Sequence, residues 1–145
     1  MKLRLAAAVA AFAASVAFSA QAAPTCKSIS VTALAFGNYD VYNATPTDSA
    51  GTITYSCPPP TTPTVTIDAG LAPSGGMRRM TLGAGTDWLS YDIFTDAART
   101  VVWSSTPVSV AAGNGVTVPY YARIYALQDS SVGSYTDTLV VTFNF

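Results

Sequence analysis

Histidine and glutamate are both missing from the 145-residue chain. Without an imidazole to activate a serine, threonine or cysteine, a Ser-His-Asp or Cys-His arrangement is excluded. Two cysteines and no histidine leave zinc and haem without an ordinary ligand set. Charge is sparse, with seven basic residues against eight acids, all of them Asp. So few cations build no patch for nucleic acid or anionic lipid. The long, charged helix formers are nearly absent, and no apolar stripe of period 3.6 follows residue 22. Gly83-Ala84-Gly85 and Gly113-Asn114-Gly115 are too short for a phosphate-binding loop and precede no helix, so both are read as turns. No cofactor is expected.

What is present begins with a leader pattern. Lys2 and Arg4 precede an uncharged run of 14 residues from Leu5 to Phe18, and Ala20-Gln21-Ala22 follows as a small-x-small cleavage site. That order predicts a signal peptide over residues 1–22. The run falls short of the ~20 residues that a spanning helix needs. No later stretch is long enough, so the chain after cleavage, residues 23–145, is expected to have no membrane span. It would be exported through the periplasm to the cell surface or the medium. Its length suits one domain. Cys26 and Cys57, an even pair in an oxidising compartment, read as one disulfide, worth roughly 3–4 kcal/mol by loop closure.

The exported part is rich in Thr, Val, Ser, Tyr and Gly, a strand-and-turn composition. Period-2 alternation predicts strands over 28–36, 52–57 (Ile53, Tyr55 and Cys57 on one face), 65–69, 78–82, 88–94 (Leu89, Tyr91 and Ile93 on one face) and 100–103. Val108 and Val110 lead into the Gly113-Asn114-Gly115 turn. A long β-rich stretch over 116–127 is interrupted by Pro119, and a final strand runs over 136–145. Residues 43–50, with Pro46, read as a loop. Seven or eight short strands separated by turns suggest an antiparallel sandwich. The last strand, with Leu139, Val141, Phe143 and Phe145 alternating, is apolar to its end. Such an edge is either covered or left for a partner.

A few residues invite chemistry. Asp92 and Asp96 are four apart on one strand, and a carboxylate pair can cleave glycosides, although acids so placed usually form a solvated face or cap turns. Arg78-Arg79 can meet an anion or, more ordinarily, form a solvated strand end or take an Asp partner. Trp103, Tyr120 and Tyr121 offer rings for sugar stacking if they are exposed and core if they are not.

Phe36-Gly37-Asn38-Tyr39-Asp40, Gly51-Thr52-Ile53-Thr54-Tyr55-Ser56-Cys57, Arg79-Met80, Leu89-Ser90-Tyr91-Asp92-Ile93-Phe94-Thr95-Asp96, Trp103, Tyr121-Ala122-Arg123-Ile124, Gln128 and Gly133-Ser134-Tyr135-Thr136-Asp137-Thr138-Leu139 occur in an order that resembles the spore coat protein U domain family. The resemblance implies an all-β, immunoglobulin-like antiparallel sandwich lacking its last strand, in a secreted subunit of the archaic chaperone–usher class rather than an enzyme. The partners it implies are a periplasmic chaperone, an outer-membrane usher and neighbouring pilus or coat subunits. Leu139, Val141, Phe143 and Phe145 would line or border the groove that accepts a donated strand. On the expected cleavage only Ala23-Pro24-Thr25 precede Cys26, a reach of about 10 Å. That is too short to fill another subunit's groove, so the chain is expected to accept a strand without donating one. The alternative reading is a tip adhesin or free secreted module that binds carbohydrate or surfaces, through Trp103, Tyr120 and Tyr121.

Overall fold

A computed structural model describes residues 25–83, 85 and 87–145; the expected signal peptide lies outside them. Among the described residues there is no helix. The strands are β1 (Lys27–Val31), β2 (Thr47–Cys57), β3 (Thr64–Ile67), β4 (Arg78–Leu82), β5 (Trp88–Phe94), β6 (Val108–Ser109), β7 (Gly113–Ile124), β8 (Tyr135–Thr136) and β9 (Val141–Asn144). They form a six-stranded sheet of order β1-β2-β7-β5-β4-β8 and a three-stranded sheet of order β6-β3-β9. Every pairing is antiparallel.

The alternation read from the sequence is the alternation of the core. Ile53, Tyr55 and Cys57 of β2 are fully buried, as are Val65 and Ile67 of β3 and Leu89, Tyr91 and Ile93 of β5. Ala122 and Ile124 of β7 and the loop residue Trp103 join them in one cluster between the sheets. The Cys26–Cys57 disulfide ties the start of β1 to the end of β2.

Five boundaries differ from the sequence reading, each for a local reason. The strand expected over 28–36 stops at Val31. There the Thr32 N–H still donates to the Thr52 carbonyl at 3.0 Å, but the Thr52 N–H turns to the Thr32 hydroxyl at 2.7 Å, a side chain taking half of the next ladder rung. The loop expected over 43–50 is strand from Thr47, immediately after Pro46. Its charged residue, Asp48, points outward, lies opposite Arg123 and pairs with it at 2.7 and 2.9 Å. Gly113-Asn114-Gly115 is no turn: it opens β7 opposite a bulge at Tyr55/Cys57, with the Gly115 N–H donating to Ser56 Oγ. Residues 100–103 form only a single bridge, Phe94 to Val102, because Asp96 accepts bonds from Thr100 and Val101 and folds the segment into a tight loop.

The fifth difference shapes the molecule. The terminal strand expected over 136–145 is two strands in different sheets, β8 beside β4 and β9 beside β3. Two carboxylates carry the crossing. Asp137 Oδ1 accepts from Leu71 N and Thr138 N, and Asp68 Oδ1 accepts from Val140 N and Gly70 N.

Candidate functional site, an open groove between two strand edges

Among the described residues, β1 pairs with β2 alone, β8 with β4 alone and β9 with β3 alone. The second edge of each is therefore without a strand, and these edges border the same opening. A groove of about 430 Å³ runs between the segment Val31–Phe36 and the segment Tyr135–Val141. Its floor is the core itself: Ile67, Met80, Tyr91, Ile93 and Tyr120. Leu34, Phe36, Met80 and Tyr135 also line a second hollow of about 730 Å³, which continues past Tyr39 and Tyr42 toward Ser130–Ser134. The two form one trough with an apolar stretch and a more polar mouth.

Each wall has its own fastenings. On the first, Phe36 packs edge-to-face on Tyr91 with ring centroids 5.9 Å apart. Gly37 follows with φ of 73°, a left-handed turn that glycine adopts without strain. Tyr39 then anchors the segment: its hydroxyl donates to the Tyr125 carbonyl at 3.0 Å and accepts from Gln128 N at 2.8 Å. On the second wall, Asp137 Oδ2 accepts the Tyr91 hydroxyl at 2.7 Å. Burial, and then the Asp137 carboxylate, push the Tyr91 hydroxyl far above its ordinary pKa, so it remains a donor. The mouth is fastened by Asp87, which accepts from Ser131 N and the Tyr135 hydroxyl; those bonds hold its pKa at about 2.

The family model described as Spore Coat Protein U domain matches residues 10–142. The chain belongs to that family. Protein U of Myxococcus xanthus is 33% identical over 127 residues, which is 77% of this chain and 71% of Protein U. A chain in the crystal structure of the CsuC-CsuE chaperone–tip adhesion subunit pre-assembly complex, from the archaic chaperone-usher Csu pili of Acinetobacter baumannii, has a similar fold. The TM-score is 0.54 at 23% identity, over 84% of this chain and 40% of that one. This chain therefore spans less than half the length of that structural relative.

Of the four residues expected at a groove, Leu139 and Val141 line it. Phe143 instead turns into the sandwich, edge-to-face on Tyr55 at 5.0 Å, and Phe145 is exposed beyond the end of β9. The opposite wall, Val31 to Phe36, was not read as part of a site. Its signal is that Leu34 and Phe36 are apolar in the phase that begins with Ser30 and Thr32, while Val31, Ala33 and Ala35 fill the other.

The three aromatic residues considered for stacking separate. Trp103 is 1% exposed, and its indole N–H donates to the Val65 carbonyl. Tyr120 is 4% exposed, so neither ring presents a face at the outer surface. Tyr121 is half-buried on the outer face, beneath the Arg99 guanidinium at 5.7 Å.

The two carboxylates on and after β5 serve the fold. Asp92 is buried 3.5 Å from Arg78 and accepts the Tyr125 hydroxyl, while Asp96 caps its loop. Arg78 is also buried and donates to the carbonyls of Ile67, Asp68 and Trp103, fastening the two sheets together.

Proposed function

We propose that this chain is a secreted structural subunit of a bacterial surface fibre or coat, assembled by accepting a strand from a partner protein into the groove. The observation that carries the reading is the groove's construction: two strand edges without partners flank a floor of core side chains. A strand laid between them would pair with both edges by β-augmentation. Its inward side chains would cover Ile67, Met80 and Ile93, each such apolar group contributing about 1.5–3 kcal/mol. Family membership supports the coat side of the proposal. The fold shared with a chain from a chaperone–subunit complex supports a periplasmic chaperone, and later a neighbouring subunit, as the source of the strand, with an outer-membrane usher as the assembly platform. The role is structural rather than catalytic: Asp92 and Asp96 are held in bonds within the fold. With Trp103 and Tyr120 in the interior, the adhesin reading loses two of the three rings it was built on.

The test is periplasmic expression of the chain with its own leader, alone and with its neighbouring genes. A one-to-one complex with a small immunoglobulin-like partner, lost on Val141→Asp, is expected. A stable monomer under both conditions, or undiminished complex from Val141→Asp, would sink the proposal.

A further inference from the structure

The groove's first wall is stranger than its second. Past Val31 the chain leaves the β ladder, yet Thr32 to Phe36 must stay extended and correctly spaced to pair with anything. Thr32 itself stays tied to β2, its N–H donating to the Thr52 carbonyl at 3.0 Å and its hydroxyl accepting the Thr52 N–H, while its own carbonyl is held from two strands away. Tyr120 of β7 lies directly opposite Gly51 of β2, and its ring crosses that glycine to bring the hydroxyl to the Thr32 carbonyl, a bond between the buried phenol and the end of β1. Gly51 occupies the inward-facing phase of β2, the row that continues with Ile53, Tyr55 and Cys57. A Cβ there would run into the Tyr120 ring and lie 2.8 Å from Thr32 Oγ1. A glycine inside a strand forfeits packing and marks a close approach; here the approach is a tyrosine that replaces the missing side chain.

From this geometry we infer that Tyr120, seated over Gly51, is the positioning residue of the acceptor wall: it sets the place of Thr32–Phe36 for strand insertion. The inference rests on the strand-acceptor reading and adds to it which residues set the groove's width. Ser49 supplies a further fastening, its hydroxyl donating to the Ala35 carbonyl at 2.8 Å, beside the Thr32–Thr52 bonds at the end of the ladder. Removal of one leaves the others, and the segment should loosen without detaching.

Tyr120→Phe deletes only the hydroxyl, and Gly51→Ala keeps the hydroxyl but displaces the ring. The first readout is hydrogen exchange on the full exported chain, alone or in the complex in which it is recovered. Loss of one bond of this kind corresponds to about tenfold faster exchange at the Thr32 amide, which donates to the Thr52 carbonyl at 3.0 Å. β2 and β7 are expected to stay unchanged, whereas a merely structural role would speed exchange across both strands. The second readout is binding of a synthetic strand of alternating valine and threonine, about twelve residues long, expected to weaken about tenfold in Tyr120→Phe while the thermal midpoint falls by only a few degrees. Should Tyr120→Phe fail to fold, Gly51→Ala carries both measurements. Unchanged exchange at the Thr32 amide in the folded variants overturns the inference. Failure of the wild-type chain to take up the peptide strikes the strand-acceptor reading instead, and the exchange result still decides the position of the wall.

Discussion

In β2 every second side chain from Ile53 to Cys57 is sealed from solvent, whereas in β1, hydrogen-bonded to it, all five residues are exposed. Ile29 and Val31 are 44% and 42% exposed, values unlike those of apolar residues in a finished sheet. The same contrast separates β5, sealed from Leu89 to Phe94 except at Ser90, from β9, where Val141 and Phe143 are only half-buried. The middle of the six-stranded sheet has a neighbour on each side and a second sheet below it. The rim has a neighbour on one side only. Its apolar side chains therefore contribute little to the isolated fold and retain most of their burial energy for whatever arrives. On the strand-acceptor proposal, stability and binding are divided between different strands, and substitutions should separate them.

The largest effect belongs to the middle. Trp103→Ala empties the centre of the core and should cost about 3–5 kcal/mol in urea denaturation. Val141→Ala at the rim should cost below about 1.5 kcal/mol in the same measurement, while reducing recovery of the partner complex. Equal costs at the two positions would break the contrast.

Replacing both Cys26 and Cys57 by serine lies between these cases, because the bridge joins an exposed strand to a buried one. A loss of about 2–4 kcal/mol is expected. Hydrogen exchange should rise first in β1 and the groove wall rather than in β5 and β7.

The smallest effect is at the mouth. Asp87 has its pKa lowered from 3.8 to about 2 by its bonds to Ser131 and Tyr135. A depressed carboxylate contributes stability that is fully present above 3.8 and is lost as pH falls through about 2. Asp87→Asn should flatten that part of the acid-unfolding curve and lower stability at neutral pH by the same small amount, as expected for an exposed group. An identical acid curve in wild type and variant would show that the mouth is fastened otherwise.

Much of the middle was legible before any coordinates. The alternation at 53–57, 65–67 and 89–93 states which face is inward, because successive side chains in a strand point to opposite sides. Pro119 read as an interruption, yet β7 continues through it. It lies opposite Thr52 in a stretch where β5 does not pair with β7, so the strand runs on despite its lack of an N–H. The rim was less legible. Thr32 ends a ladder, and Asp68 with Asp137 divides a strand between two sheets, through side-chain hydrogen bonds whose partners lie 20 to 72 residues away. Phe143 and Val141 share one phase of one strand, but one meets Tyr55 and the other the groove, a difference that periodicity does not contain.

The sequence by itself determined the β class, the inward faces of the central strands, the pairing of the only two cysteines and the kinship with coat proteins, since each is written in local alternation, residue counts or ordered motifs. The tertiary structure alone decided which strands are edges, that Val31–Phe36 and Leu139–Val141 face each other across a trough, and that a tyrosine crosses a glycine to hold one wall. Those depend on which distant strands become neighbours, and long-range pairing is settled by the packing of the whole chain.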